Sequence, residues 1–270
     1  MELTGATRLV FVLAHPVDHV RAPRVFNPAF EAAGLNWLQV PLGVPPDRLS
    51  AVLDQLAHTT NFLGVNLTIP HKVSGYALCR WLTREARLTG AVNALRRETD
   101  GQWAGTNADG IGFVNAAKAN GLLDITRPVF IAGAGGAGTC IACSLAEQGV
   151  REINVVDTDL SRAEALRSAL RAAYPSLVVG GDPAALKRAG LAVNATPLGL
   201  HAGEPMPFDP ALLPEGSALF DIIAARDTEL MAAAQARGLR VVGGRPMIDH
   251  QLAHLIAFWR GDAMQLEPSP

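Results

Sequence analysis

Residues 129–138 read Val-Phe-Ile-Ala-Gly-Ala-Gly-Gly-Ala-Gly, an apolar strand running into a glycine-rich turn, and a helical apolar pattern follows over residues 138–148. Strand, glycine turn and helix in that order leave few folds open to the chain. Gly133 permits a tight turn, Gly135 lets the main chain approach a pyrophosphate, and Gly138 lets the helix pack closely. Ala134, Gly136 and Ala137 complete the loop, and the helix start offers free N–H groups and a positive dipole end to phosphates. Apolar strands at 153–156, 177–179, 191–194, 218–223 and 240–242, with a helix at 161–173, continue the alternation. Such alternation predicts a parallel, doubly wound α/β sheet. A purely structural glycine turn is the competing reading, and the βαβ setting argues against it.

A dinucleotide binder of this kind distinguishes the two nicotinamide cofactors at the end of its second strand, here Val156-Asp-Thr-Asp159. Asp157 can accept hydrogen bonds from both adenosine ribose hydroxyls and would repel a 2′-phosphate. NAD is therefore the expected cofactor. Arg162 keeps NADP open, since it could reach a phosphate, although in the first helical turn it can equally face solvent or pair with Asp159.

Ahead of this series, residues 8–14, 36–40 and 62–67 read as strands and 23–33 and 46–57 as helices, a β-α-β-α-β order with Pro23 near a helix start and Gly34 at its end. The third strand opens Gly64-Val-Asn-Leu-Thr-Ile-Pro-His-Lys72. Asn66 and Thr68 alternate with Val65, Leu67 and Ile69, so an amide and a hydroxyl should share one face leading toward Lys72, and Pro70 stops the strand. A lysine held there beside polar groups can transfer protons, whereas an isolated lysine after a turn is usually solvated. Helical stretches at 76–81 and 83–88, strands at 91–97 and 102–105 around Asp100-Gly101, a helix at 110–120 and an amphipathic helix at 247–259 complete the pattern.

With 49% hydrophobic residues in 270, the chain can bury real cores. A formal net charge of -2 gives no reason to expect nucleic acid or an anionic membrane as partner. No run has bilayer-spanning length, and the N-terminus lacks a basic, apolar and cleavable succession, so a cytoplasmic protein with small-molecule ligands is expected. Cys79, Cys140 and Cys143 are too few for a disulfide framework; the Cys140/Cys143 spacing lacks a second pair, and His15/His19 and His250/His254 lack the glutamate of an HExxH site. No metal is expected.

Lys72 gains company from Gly90-Ala-Val-Asn93 and Gly105-Thr-Asn-Ala-Asp-Gly110. Asp109 beside a lysine would make a proton-relay pair, although alone it reads equally as the N-cap of the following helix. These segments, with Gly64 to Lys72, the glycine turn, Asn194-Ala-Thr-Pro-Leu-Gly199 and the terminal helix carrying Gln251, in that order, closely resemble the shikimate dehydrogenase family, which includes shikimate and quinate/shikimate dehydrogenases. The resemblance runs from Ala14-His-Pro-Val17 to Phe258-Trp-Arg-Gly261. It implies an N-terminal α/β substrate domain, residues 1–109 completed by 245–270, and a Rossmann dinucleotide-binding domain at 110–244, with the active site in the cleft between them, in a monomer or homodimer. It implies an oxidoreductase that interconverts a ring hydroxyl and ketone of shikimate or quinate, a cyclic polyol acid, with NAD(P). By the same resemblance Lys72 and Asp109 are the catalytic pair, and Asn66, Thr68, Asn93 and Gln251 bind ring hydroxyls. The glycine turn, Asp157, Arg162, Thr196, Ile222 and Gly244 meet the cofactor. Bonding to a strand end for Asn66, and a polar position on an amphipathic helix for Gln251, are the plainer roles.

Several positions depart from the family. A Ser-x-Ser-Pro-like segment, whose hydroxyls hold the substrate carboxylate, is here Val20-Arg-Ala-Pro23. Arg21 and Arg24 are the nearby cations, and an Arg-carboxylate fork is a sound physical substitute if either points inward; a solvated arginine is the alternative. Ala224 replaces a common tyrosine, Ala108 replaces the threonine of Asn-Thr-Asp, and Asp157-Thr-Asp159 replaces Asn-Arg-Thr, which again favours NAD. These departures keep two other readings open: a dehydrogenase of a different cyclic hydroxy or amino-hydroxy compound, and a non-catalytic ligand-binding paralogue.

Overall fold

The computed structural model describes residues 2–18, 20–262 and 264–269. The chain divides into two compact units, Met1–Ala108 with Gln251–Pro270, and Asp109–His250. In the first unit the order is β1 (Arg8–Ala14), α1 (Pro23–Ala32), β2 (Trp37–Gly43), α2 (Leu49–Ala57), β3 (Phe62–Leu67), α3 (His71–Ala77), β4 (Trp81–Leu82), α4 (Arg84–Thr89), β5 (Ala94–Arg97) and β6 (Trp103–Thr106). The second unit holds α5 (Asp109–Ala119), β7 (Val129–Ala132), α6 (Gly136–Glu147), β8 (Glu152–Val156), α7 (Leu160–Ala173), β9 (Val178–Gly180), β10 (Leu191–Asn194), β11 (Ala218–Asp221), α8 (Glu229–Ala236), β12 (Arg240–Val242) and α9 (Arg245–Asp249). The chain then returns to the first unit as α10 (Leu252–Arg260) and β13 (Glu267–Pro268).

The first unit is built on a mixed sheet in the order β13-β4-β6-β5-β3-β1-β2, with β1 central to a parallel trio. Pro41 is tolerated inside β2 because that strand lies at the sheet edge. One group of side chains packs Trp259 of α10 against Phe26 and Phe30 of α1 at ring distances of 5.9 and 6.5 Å. Gly64 makes this approach possible: a Cβ there would sit 2.6 Å from Trp259 Cδ1 and 2.5 Å from the Leu95 carbonyl oxygen. Arg96, nearly buried, pins the same helix by donating from Nη1 to the Phe258 carbonyl at 2.5 Å, while Nε pairs with Glu98 at 2.6 Å.

The second unit is wholly parallel in the order β12-β11-β10-β7-β8-β9. The strand order reverses between β7 and β10, which makes the carboxyl ends of those two strands the expected ligand crevice. α5 packs on α6 at Gly110, where a Cβ would fall 2.1 Å from Ser144 Oγ.

Several local expectations are corrected. The helix expected at 76–81 starts earlier, at His71, and Trp81 belongs to a short strand; Pro70 serves as helix N-cap, where a missing N–H is harmless. Lys72 therefore sits in the first turn of a helix. The segment 46–57 begins as a 3-10 turn, Pro46–Arg48, before α2. The terminal helix is two helices, α9 packing against α5 and α10 against β3 and β5. Accordingly the units divide at 108/109 and 250/251, where the sequence suggests 109/110 and 244/245. Helix α8 is not among the expected elements; Thr228 caps it by accepting from Met231 N–H.

Candidate functional site

Around Lys72 the first unit ties three sequence-selected positions together. β3 ends at Leu67, whose N–H donates to the Asn93 carbonyl at 2.7 Å, and Asn66 Nδ2 donates to that same oxygen at 2.7 Å. Asn93 is buried, and its own Oδ1 accepts from the Ala108 N–H at 3.0 Å. The Lys72 carbonyl accepts from Val92 N–H at 3.0 Å, so the first turn of α3 is fastened to the segment carrying Asn93. The Asn66 amide nitrogen thus has a structural role, and its Oδ1 stands outside that bond. Thr68 lies past the strand end: its N–H donates to the Leu13 carbonyl and its carbonyl accepts from His71 N–H. Lys72 is half-buried. Gln251 is buried at the start of α10. Asp109 is buried too, in the first turn of α5 in the second unit.

Two histidines of the first unit are held neutral by their surroundings. His71 Nε2 donates to the Val44 carbonyl at 2.8 Å, and burial lowers its pKa from 6.5. His254 Nε2 meets Thr106 Oγ1 at 3.2 Å, Thr106 meets Thr83 at 3.2 Å, and burial again lowers the histidine pKa from 6.5. Sequence reasoning passes over this chain of hydroxyls because each threonine alone is unremarkable. A histidine that prefers to be neutral when folded stabilises the fold above its unfolded pKa, and that contribution is lost as pH falls through the lowered folded value. The melting temperature should therefore fall as the pH drops below about 6.5, and His254→Gln should shrink the drop, which differential scanning calorimetry across pH checks.

The segment Val20-Arg-Ala-Pro23 is turned on itself. Arg21 Nη1 donates to the Asp18 carbonyl at 2.6 Å and the Val20 carbonyl at 3.1 Å, and Ala22 stands at the α1 N-cap with no side chain to bond. Arg21 does not form an inward fork here. Arg24 is exposed in the first turn of α1.

In the second unit the glycines separate by role. Gly133 has φ +105°, and a Cβ there would lie 2.7 Å from the Ala195 carbonyl carbon and oxygen, so the turn after β7 presses on the end of β10. At Gly138 a Cβ would lie 2.0 Å from the Gly133 carbonyl oxygen. The fold itself requires both. At Gly135 and Gly136 a Cβ would meet nothing within 4 Å, and Gly135, the N-cap of α6, has an ordinary φ of -72°. No protein contact accounts for these two, and the open space over the helix start leaves room for a pyrophosphate. The loop fits the dinucleotide that the sequence expects.

Asp157 follows β8 and is engaged with that loop, Oδ2 accepting from Ala134 N–H at 2.7 Å and Oδ1 from Asp159 N–H at 2.8 Å. Arg162 pairs with Asp159 at 3.4 Å, and the Asp159 carboxyl, which accepts from Ser161 and from Arg162 N–H, lies below its ordinary range through those bonds. Thr196, Ile222 and Gly244 follow β10, β11 and β12. Ile222 N–H donates to the Asn194 carbonyl, Gly244 N–H donates to the Ile223 carbonyl, and a Cβ on Gly244 would sit 2.1 Å from the Ile222 carbonyl oxygen. All three positions lie on loops at the carboxyl edge of the sheet, the side of the glycine turn. Among the described residues no helix is long and apolar enough to cross a membrane.

A parallel doubly wound sheet with this loop, joined in one chain to a mixed-sheet unit carrying the Asn66, Lys72 and Asn93 cluster, defines a nicotinamide-dependent dehydrogenase architecture. The profile of the shikimate dehydrogenase substrate binding domain matches residues 12–95. A shikimate dehydrogenase (NADP(+)) of Rubrobacter xylanophilus is 38% identical over 264 residues, covering 96% of this chain and 93% of its own. Among solved structures, shikimate 5-dehydrogenase of Thermus thermophilus, in complex with NADP(H) and shikimate, is similar with 32% identity and a TM-score of 0.84 over 96% of this chain and 95% of its own. Quinate dehydrogenase of Corynebacterium glutamicum, in complex with NAD, is similar with 27% identity and a TM-score of 0.84 over 97% and 95%. The chain belongs to the shikimate dehydrogenase family.

Proposed function

We propose that this protein oxidises and re-forms a ring hydroxyl of shikimate or quinate, with Lys72 and Asp109 handling the hydroxyl proton. The observation that carries the reading is the presence in one chain of a glycine turn with unfilled space at Gly135 and a fastened Asn66, Lys72 and Asn93 cluster. Alcohol oxidation removes a proton from oxygen and a hydride from the adjoining carbon. Bound NAD(P)+ supplies the hydride acceptor. The chain must supply the proton acceptor, and a lysine and a carboxylate acting as a relay can take the proton and pass it on, so that their net charge is restored at the end of each turnover. Asn66, Thr68, Asn93 and Gln251 suit ring hydroxyls, because amides and hydroxyls both donate and accept. Steady-state assays with shikimate and with quinate test the reading, and no nicotinamide absorbance change with either would overturn it.

For the cofactor we favour NAD. Asp157, which follows β8 and accepts from Ala134 of the glycine turn, supports that reading as a carboxylate that would repel a 2′-phosphate, and Arg162 is already paired with Asp159. The Rubrobacter relative carries NADP(+) in its name, so the preference turns on this chain's own Asp157. Asp157→Ser should lower kcat/KM for NAD by about tenfold or more relative to NADP, read from rates with each cofactor; an unchanged ratio would remove the argument.

One observation favours a second reading. With Val20 and Ala22 lacking hydroxyls and Arg21 bonded to its own turn, the ring carboxylate has lost its usual partners. A dehydrogenase of a related cyclic hydroxy or amino-hydroxy compound follows if shikimate and quinate are turned over only at high concentration while such a compound is used well.

A further inference from the structure

One buried carboxylate has no part in the proton chemistry. Asp221 ends β11 with 0% of its surface exposed, and its oxygens accept from Thr228 Oγ1 at 2.7 Å, Asn194 Nδ2 at 3.0 Å and Ile223 N–H at 3.1 Å. All three donors are neutral. Burial pushes the carboxyl up, and the same three bonds pull it down. A plain core position would be served better by an apolar side chain, since a buried charge is costly without a counter-ion.

What the donors share is their place. Asn194 ends β10, directly opposite Asp221 in the sheet, and its Oδ1 accepts from both the N–H and the hydroxyl of Thr196 while Nδ2 also reaches the Leu198 carbonyl. Ile223 belongs to the loop after β11, and Thr228 closes that loop by capping α8. Gly199 packs onto Thr228 so closely that a Cβ would lie 2.9 Å from Thr228 Cγ2. The Asp221 carboxylate thus accepts both from Asn194, which ends β10 and holds Thr196 of the following loop, and from the loop that begins at Ile222.

We propose that Asp221 is a positioning residue of the dinucleotide site, fastening the loop after β10 to the loop after β11 so that Thr196 and Ile222 present one fixed surface to the nicotinamide half of the cofactor. The proposal rests on the reading of this unit as the cofactor-binding one. Asp221→Asn keeps the side-chain shape but accepts at one atom where the carboxylate accepts at two. In the folded full-length variant the Kd for NADH, followed by dihydronicotinamide fluorescence, should rise about tenfold or more while the KM for shikimate moves less than about twofold. Thr228→Val should weaken NADH in the same way and Thr228→Ser should restore it. Because they share one bond, the effects of Asp221→Asn and Thr228→Val should combine to less than their product. NADH affinity at the level of the unmodified chain in Asp221→Asn overturns the proposal, and so does an equal rise in the cofactor and substrate constants, the mark of general loosening. Failure of the unmodified chain to bind NADH overturns the cofactor reading along with it.

Discussion

Lys72→Ala should lower kcat roughly 10²–10⁴-fold, the range lost when a positioned general acid or base is removed. The fold should be almost untouched: Lys72 is half-buried in the first turn of α3, and the bond to Val92 uses its main-chain carbonyl, which alanine retains. The KM for cofactor should hold. Lys72→Arg separates charge from proton transfer, because a guanidinium keeps its positive charge at any working pH and cannot accept a proton. On the proposed role the arginine variant is nearly as slow as the alanine one. Turnover close to that of the unmodified chain in either variant would assign the proton to another group.

Gly135→Asp should abolish cofactor binding without harm to the fold, raising the dinucleotide KM by about 100-fold or more. Gly135 is the N-cap of α6, a position where aspartate is among the preferred residues, so the helix should gain roughly 0.3 kcal/mol. Nothing in the protein lies within 4 Å of the added Cβ. The new carboxylate would meet the negative charge of the pyrophosphate at the helix start. Gly138→Ala is the contrasting change, since its Cβ runs into the Gly133 carbonyl oxygen at 2.0 Å and must distort the turn itself. Binding lost with stability kept in the first variant, and both lost in the second, is the expected pattern in paired melting and titration experiments. Unaltered cofactor affinity in Gly135→Asp would show that phosphates do not pass there.

Most of the alternation is legible in the sequence because period and punctuation are local properties. The strands expected at 191–194 and 240–242 coincide with the observed limits. The turn around Asp100-Gly101 joins β5 to β6 as an antiparallel pair. Where a local signal is weak or double, tertiary packing decides. His71 to Ala77 holds a valine, a glycine and a tyrosine, poor helix material, yet Gly75 lets α3 settle on Leu67, whose Cδ1 would lie 2.2 Å from a Cβ at that position. The long apolar pattern at 247–259 reads as continuous, but its two halves pack in different units. Asp221 carries no signal at all, because one acidic residue after an apolar strand reads as a turn residue at the surface.

By itself the sequence determined the dinucleotide class, since a glycine turn between strand and helix is encoded within a few neighbouring residues, and a lysine after a proline-ended strand marked out Lys72 as the candidate for proton transfer. Only the tertiary structure decided which glycines serve the chain and which leave room, and which polar groups meet. Asn66 reaches Asn93, and Asn194 reaches Asp221, each across 27 residues of sequence. Such bonds depend on how β3, β5, β10 and β11 lie beside their neighbours, and strand register is a property of the packed sheet that no local pattern of residues carries.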